Sequence, residues 1–134
     1  MANVCYLEGE RLRSAEARRD LLRERGLTAP RTAEEAIDLI ALAVEVFAPD
    51  EGFRGRLIQH SGSELRIVNR ECPTYSLVEA QNWHGVTACA SWHRRRGWFD
   101  ALGVAASDSV LFERKWGDPA CVCLLRVEAV GALR

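Results

Sequence analysis

The chain has 134 residues, 48% of them hydrophobic and 28% charged, with a formal net charge of −1. This balance fits one globular domain and excludes a disordered chain, and acids interleaved with bases exclude partners chosen by global charge, such as nucleic acid or an anionic membrane. No apolar run reaches the roughly 20 residues that cross a bilayer, and the start lacks a basic stretch followed by an apolar core. With five cysteines and no such leader, the expectation is a cytoplasmic chain of reduced thiols.

Residues 8–25 are rich in Arg, Glu, Leu and Ala, all good helix formers, and Gly26 is a natural C-cap. After a turn at Pro30, Thr32 and Glu35 have the spacing of a capping box, the Thr32 hydroxyl meeting the Glu35 amide while the Glu35 side chain reaches back. Behind it Ala36, Ile37, Ile40, Ala43, Val44 and Phe47 recur at three and four residues, which predicts a helix with a wide apolar face. Pro49 and Gly52 end it. Residues 56–60 and 64–70 flank Ser61 and Gly62 and predict a hairpin, closed by Pro73.

From 77 to 102 the composition predicts one long helix ending at Gly103. Gly85 and Gly97 weaken it, each costing about 1 kcal/mol against Ala. A break near His84 and Gly85 would start the ordered part at Val86. Residues 109–116 and 121–128 alternate, are β-rich, and predict a second hairpin across 117–120. The expected architecture is a single α+β domain over residues 1–134, of order α-α-β-β-α-β-β. Its four-stranded antiparallel sheet packs against the helices.

The last third carries a resemblance. Glu113, then Gly117, Asp118 and Cys121 at the start of an apolar strand, resembles the closing motif of the 4-vinyl reductase-type small-molecule-binding domains. The L-2-amino-thiazoline-4-carboxylate hydrolase-like proteins close similarly. The helix end at Gly97–Gly103 and the strand running into Cys72 and Pro73 extend the similarity over about residues 57–127. The resemblance implies an α+β fold with a pocket between helices and sheet, often in a dimer. It implies either ligand sensing or hydrolysis of a small heterocycle. Trp116 stands where many such domains have a cysteine.

Several residue groups have chemistry of their own. Cys89 and His93 are four apart, one turn apart on a single helical face. That spacing suits a thiolate beside an imidazole, or two ligands of one metal; it equally suits a core cysteine and a surface histidine. A zinc site would need Cys72 and Cys121 or Cys123 to join them. His84 reaches the same site only if Gly85 breaks the helix, and His60 sits at a solvated turn. Cys121 and Cys123 share one strand face with Leu125 and Val127, as core or pocket wall.

Glu113 lies near the expected pocket, on the face opposite Phe112. A buried carboxylate there could shuttle protons, and a solvated one would not. Trp83, Trp92, Trp98 and Phe99 wall either a ligand cavity or a core and dimer interface. In Arg94, Arg95 and Arg96, cations complement the helix C-terminus, or one arginine turns inward to hold a ligand carboxylate. There is no Gly-rich phosphate loop, Gly-x-Ser-x-Gly elbow, His-Glu-x-x-His or Cys-x-x-Cys.

Two readings stand. One is a cysteine-dependent hydrolase of a small heterocyclic or amino-acid-like substrate, with Cys89 as nucleophile, His93 or His84 as base and Glu113 assisting. The other is a non-catalytic ligand- or cofactor-binding domain, a sensor or carrier. Cys72, Trp83, Trp92, Arg96, Phe112 and Cys121 line the pocket in both. No cofactor is required, with zinc as the alternative, and the expected partners are a small molecule and a second copy of the chain.

Overall fold

The structure is a computed structural model that describes residues 2–47, 54–82 and 90–131. Its elements run α1 (Ala2–Glu24), α2 (Ala33–Phe47), β1 (Arg54–Ser61), β2 (Glu64–Glu71), α3 (Pro73–Ala80), α4 (Ala90–Leu102), β3 (Val104–Phe112), a 3-10 turn (Arg114–Trp116) and β4 (Cys121–Val130). The four strands form one antiparallel sheet in the order β1-β2-β4-β3. The α+β class and the order of elements are those expected. The third helical region comprises two helices, α3 and α4, with residues 83–89 between them outside the description. The predicted stop at Pro49 and Gly52 and the predicted break at Gly85 also fall outside it.

Local chemistry sets the helix ends. Gly26 takes φ +63°, the left-handed conformation a glycine adopts without steric cost. The Gly26 amide then donates to the Arg23 carbonyl at 3.1 Å and Leu27 to Leu22 at 2.8 Å, the paired bonds of a Schellman stop. At the start of α2 the Thr32 hydroxyl accepts the Glu35 amide at 3.1 Å. The Glu35 carboxylate reaches back one residue further than expected, accepting the Arg31 amide at 2.8 Å. These bonds, the Arg31 amide first, hold the Glu35 carboxyl below its usual range.

The core lies between α2, α4 and one sheet face. Ala36, Ile37, Ile40 and Val44 of α2 meet Leu65 and Ile67 of β2, Leu125 and Val127 of β4, and Trp98, Phe99 and Leu102 of α4. Strand register brings the inward side chains together, Leu65 opposite Leu125, Ile67 opposite Cys123 and Asn69 opposite Cys121. On the other side of β4, Asp108 faces Leu125 and Val110 faces Cys123. β3 begins at Val104, earlier than residue 109, because pairing with β4 holds the weakly β-forming Ala105, Ala106 and Ser107 extended.

α1 crosses α4 closely, and Gly97 permits it. A Cβ at Gly97 would stand 2.5 Å from the Arg11 carbonyl oxygen and 2.8 Å from the Ser14 Cβ. Polar bonds fix the crossing. Arg11 grips Asp100 through Nε at 2.6 Å and Nη2 at 2.9 Å, Ser14 donates to the Arg94 carbonyl at 2.7 Å, and Arg94 donates to Glu10 at 2.8 Å. The hydrogen bond to Asp100 holds the Arg11 guanidinium above its ordinary pKa. Burial pushes the Glu10 carboxyl up, but hydrogen bonds from Arg13 and Arg94 outweigh it and hold the group below its usual range.

Candidate functional site

One cavity gathers Cys72, Cys121 and Cys123. Asn69 and Cys72 come to it from the end of β2, Ser91, Trp92 and Arg95 from α4, Val110 and Glu113 from the end of β3, and Cys121 and Cys123 from the start of β4. Strand pleating explains the last pair, since residues two apart point to one face. The α3 start explains Cys72: the chain leaves β2 in an extended conformation there, and Pro73 opens the helix. The cavity volume is ≈ 40 Å³, room for water or a small group.

The thiols of Cys72, Cys121 and Cys123 are reduced. Cys121 Sγ accepts the Arg114 backbone N–H at 3.4 Å. That amide opens the turn after β3, which is pinned three times more. Asp118 Oδ2 accepts the Glu113 amide at 2.9 Å, Gly117 takes φ +95°, and the Arg114 guanidinium donates to the Arg70 carbonyl at 2.9 Å while lying 4.5 Å over the Tyr75 ring.

The polar wall is buried. Arg95 Nε donates to Asp108 Oδ2 at 2.5 Å, and both side chains are almost wholly enclosed. Asp108 Oδ1 is buried with no hydrogen-bond partner among the described residues. Asn69 Oδ1 accepts Arg56 Nε at 2.6 Å beside them.

Of the expected site residues, Cys72, Trp92, Glu113 and Cys121 line this cavity. His93 does not; its ring meets the Trp92 ring edge-on at 4.8 Å between centroids. Arg96 is exposed and lies 4.5 Å over Trp92, so the inward arginine is its neighbour Arg95. Phe112 sits opposite Val122 on the other sheet face, 54% exposed. Trp83, His84 and Cys89 lie outside the described residues, so the Cys89–His93 pairing does too. Among the described residues, no three His, Cys, Asp or Glu side chains are grouped to hold a metal ion.

Three lining residues beyond the expected set had a readable signal. Arg95 stands three, four and seven residues before Trp98, Phe99 and Leu102, all buried, and so belongs to the core stripe of α4. Asn69 continues the inward alternation of Leu65 and Ile67. Cys123 shares the face of Cys121, and both are wall.

No family model matches this chain, and no curated protein matches it. Among solved structures it is similar to a trafficking protein particle complex subunit 3 from Naegleria fowleri, covalently bound to palmitic acid. The TM-score is 0.67 at 14% identity, covering 99% of this chain and 82% of that one. The fold is therefore that of a trafficking particle subunit. This overturns the resemblance to the 4-vinyl reductase and thiazoline-carboxylate hydrolase-like groups. The residues that carried it serve the turn itself: Gly117 supplies a positive φ, Asp118 caps Glu113, and Cys121 receives the Arg114 amide.

Proposed function

We propose that this chain is a small-molecule-binding protein whose ligand places an apolar group in the cavity of Cys72, Trp92, Val110, Cys121 and Cys123. The observation that carries this reading is the convergence of β2, α4, β3 and β4 on one point with soft or apolar side chains. Binding is favoured over hydrolysis because His93, the expected base, packs on Trp92 and does not line the cavity. The ligand extends beyond the small enclosed volume. Val110 lines the cavity and is 46% exposed, so the cavity opens to the surface at the end of β3. The palmitic acid on the trafficking subunit supports an elongated apolar molecule as the class.

Large exposed aromatic side chains away from the cavity support a protein contact, taken as a homodimer: Phe112 is 54% and Trp116 75% exposed. The similar solved structure is itself a complex subunit. Reduced thiols suit the cytosol, and among the described residues no helix is long and apolar enough to cross a membrane.

Titration with cis-parinaric acid, followed by fluorescence, tests the pocket. Wild-type protein should bind saturably, and Val110→Asp should weaken binding about tenfold or more, the scale of one lost apolar side chain. Absence of saturable binding to the wild type removes the reading. Sedimentation equilibrium tests the dimer: Phe112→Asp should give monomer, and a wild type already monomeric at high concentration removes that part.

A further inference from the structure

Ser91, Arg94, Arg95 and Trp98 of α4 are spaced three, four and seven residues from the first, so they share one helical face. The register of β1 and β2 sets Arg56 opposite Asn69. These six side chains line a second, smaller chamber, which has Asn69, Ser91 and Arg95 in common with the cavity already described. Among the described residues, every charged side chain lining the chamber is a cation: Arg56, Arg94 and Arg95. Glu10 and Asp108 bond Arg94 and Arg95 from outside that lining, and Arg56 donates to the neutral side-chain carbonyl of Asn69. An independent observation points to a missing acceptor. Trp98 is buried, and its Nε1 has no hydrogen-bond partner among the described residues. A buried N–H without an acceptor is costly, and guanidinium, indole and hydroxyl donors together suit an oxygen that carries negative charge. Size selects the anion. The chamber volume is ≈ 10 Å³, room for one water or one ligand oxygen, and a tetrahedral phosphate does not fit.

We propose that this chamber receives the carboxylate of an apolar monocarboxylic acid whose hydrocarbon part lies in the cavity of Cys72, Cys121 and Cys123. This rests on that cavity being a ligand pocket, and it names the ligand's polar end. One carboxylate oxygen enters the chamber among the arginines and accepts the Trp98 N–H. The other stays at the common wall, where the Asn69 amide and the Ser91 hydroxyl are donors. The hydrocarbon runs the opposite way, toward the opening at Val110. A neutral head on the same chain leaves the cations and the indole N–H without a charged acceptor, so the site discriminates the acid from the alcohol.

The full chain, labelled with nitrogen-15, is titrated with decanoic acid, 1-decanol and decyl phosphate while the assigned indole N–H signal of Trp98 is followed by NMR. Decanoate should bind about tenfold or more tighter than decanol, the scale of a hydrogen bond to a charged group. It should also move the Trp98 signal downfield, which decanol should not. Arg56→Gln should lose most of the preference for the acid, and a preference kept in full overturns the chamber as its source. Equal affinities for acid and alcohol in the wild type, or a Trp98 signal unmoved at saturating decanoate, overturn the carboxylate site and leave the apolar pocket standing. Decyl phosphate binding tighter than decanoate overturns the choice of anion. Binding of none of the three overturns the pocket itself, and the carboxylate site with it.

Discussion

The closeness of α1 and α4 makes Gly97→Ala a severe substitution at a site where helix propensity favours Ala. The added Cβ would stand 2.5 Å from the Arg11 carbonyl oxygen, 2.8 Å from the Ser14 Cβ and 2.9 Å from the Ala15 nitrogen. Two of those atoms are backbone, so no rotamer change relieves the overlap and the helices must separate. Overpacking of this kind costs roughly 1–3 kcal/mol, and separation also stretches the Ser14–Arg94 and Arg11–Asp100 bonds, at about 1 kcal/mol or more for each. Ala returns about 1 kcal/mol of propensity. The net expectation is a loss of about 2–4 kcal/mol. Urea unfolding followed by circular dichroism measures it. Gly9→Ala is the matched control in α1, where the new Cβ meets only the Arg13 guanidinium at 3.6 Å, an ordinary contact. It should be neutral or stabilise by up to about 1 kcal/mol. A Gly97→Ala protein as stable as wild type would refute the close crossing.

Breaking the enclosed Arg95–Asp108 pair on one side, as in Arg95→Met, should cost about 3–5 kcal/mol, and the double variant Arg95→Met with Asp108→Leu should recover much of it; equal losses in single and double variants would show that the pair is not coupled. Thr32→Ala removes the acceptor of the Glu35 amide and should cost about 1 kcal/mol in urea midpoint measurements. The lowered Glu10 carboxyl contributes stability that is present above the ordinary Glu value of 4.5 and is lost as pH falls through its depressed value. Glu10→Gln should therefore flatten the acid limb of the stability curve, and an unchanged limb would contradict the Arg13 and Arg94 contacts.

Where local chemistry is sufficient, the elements were legible in the sequence. Thr32 and Glu35 announce α2, its apolar spacing names five of the side chains it buries, and Gly62 at φ +55° makes the first hairpin turn. Long-range packing was not legible. Gly97 reads as a helix weakness until α1 is brought against it, and Ala105 to Ser107 extend only because β4 pairs with them. The site was half-legible for the same reason. Cys72, Trp92, Glu113 and Cys121 could be nominated by type and position, and Arg95 could have been, from its place in the stripe of Trp98 and Leu102. Choosing Arg96 instead came from reading three consecutive arginines as a charge run, when on a helix each faces a different way. The turn motif misled because its glycine, aspartate and cysteine answer to local geometry, which unrelated chains also need.

The strand order β1-β2-β4-β3 also governs when the cavity comes into being. β1 with β2 and β3 with β4 pair between sequence neighbours, whereas the central β2–β4 ladder joins residues as distant as Glu64 and Arg126, 62 apart. Local pairings close before distant ones because less chain entropy opposes them. Cys72 ends the first hairpin, Cys121 and Cys123 belong to the second, and α4 adds its wall from between them. A newly made chain with both hairpins but no central ladder therefore has no cavity, and its thiols meet solvent, oxidants and chaperones before they meet each other.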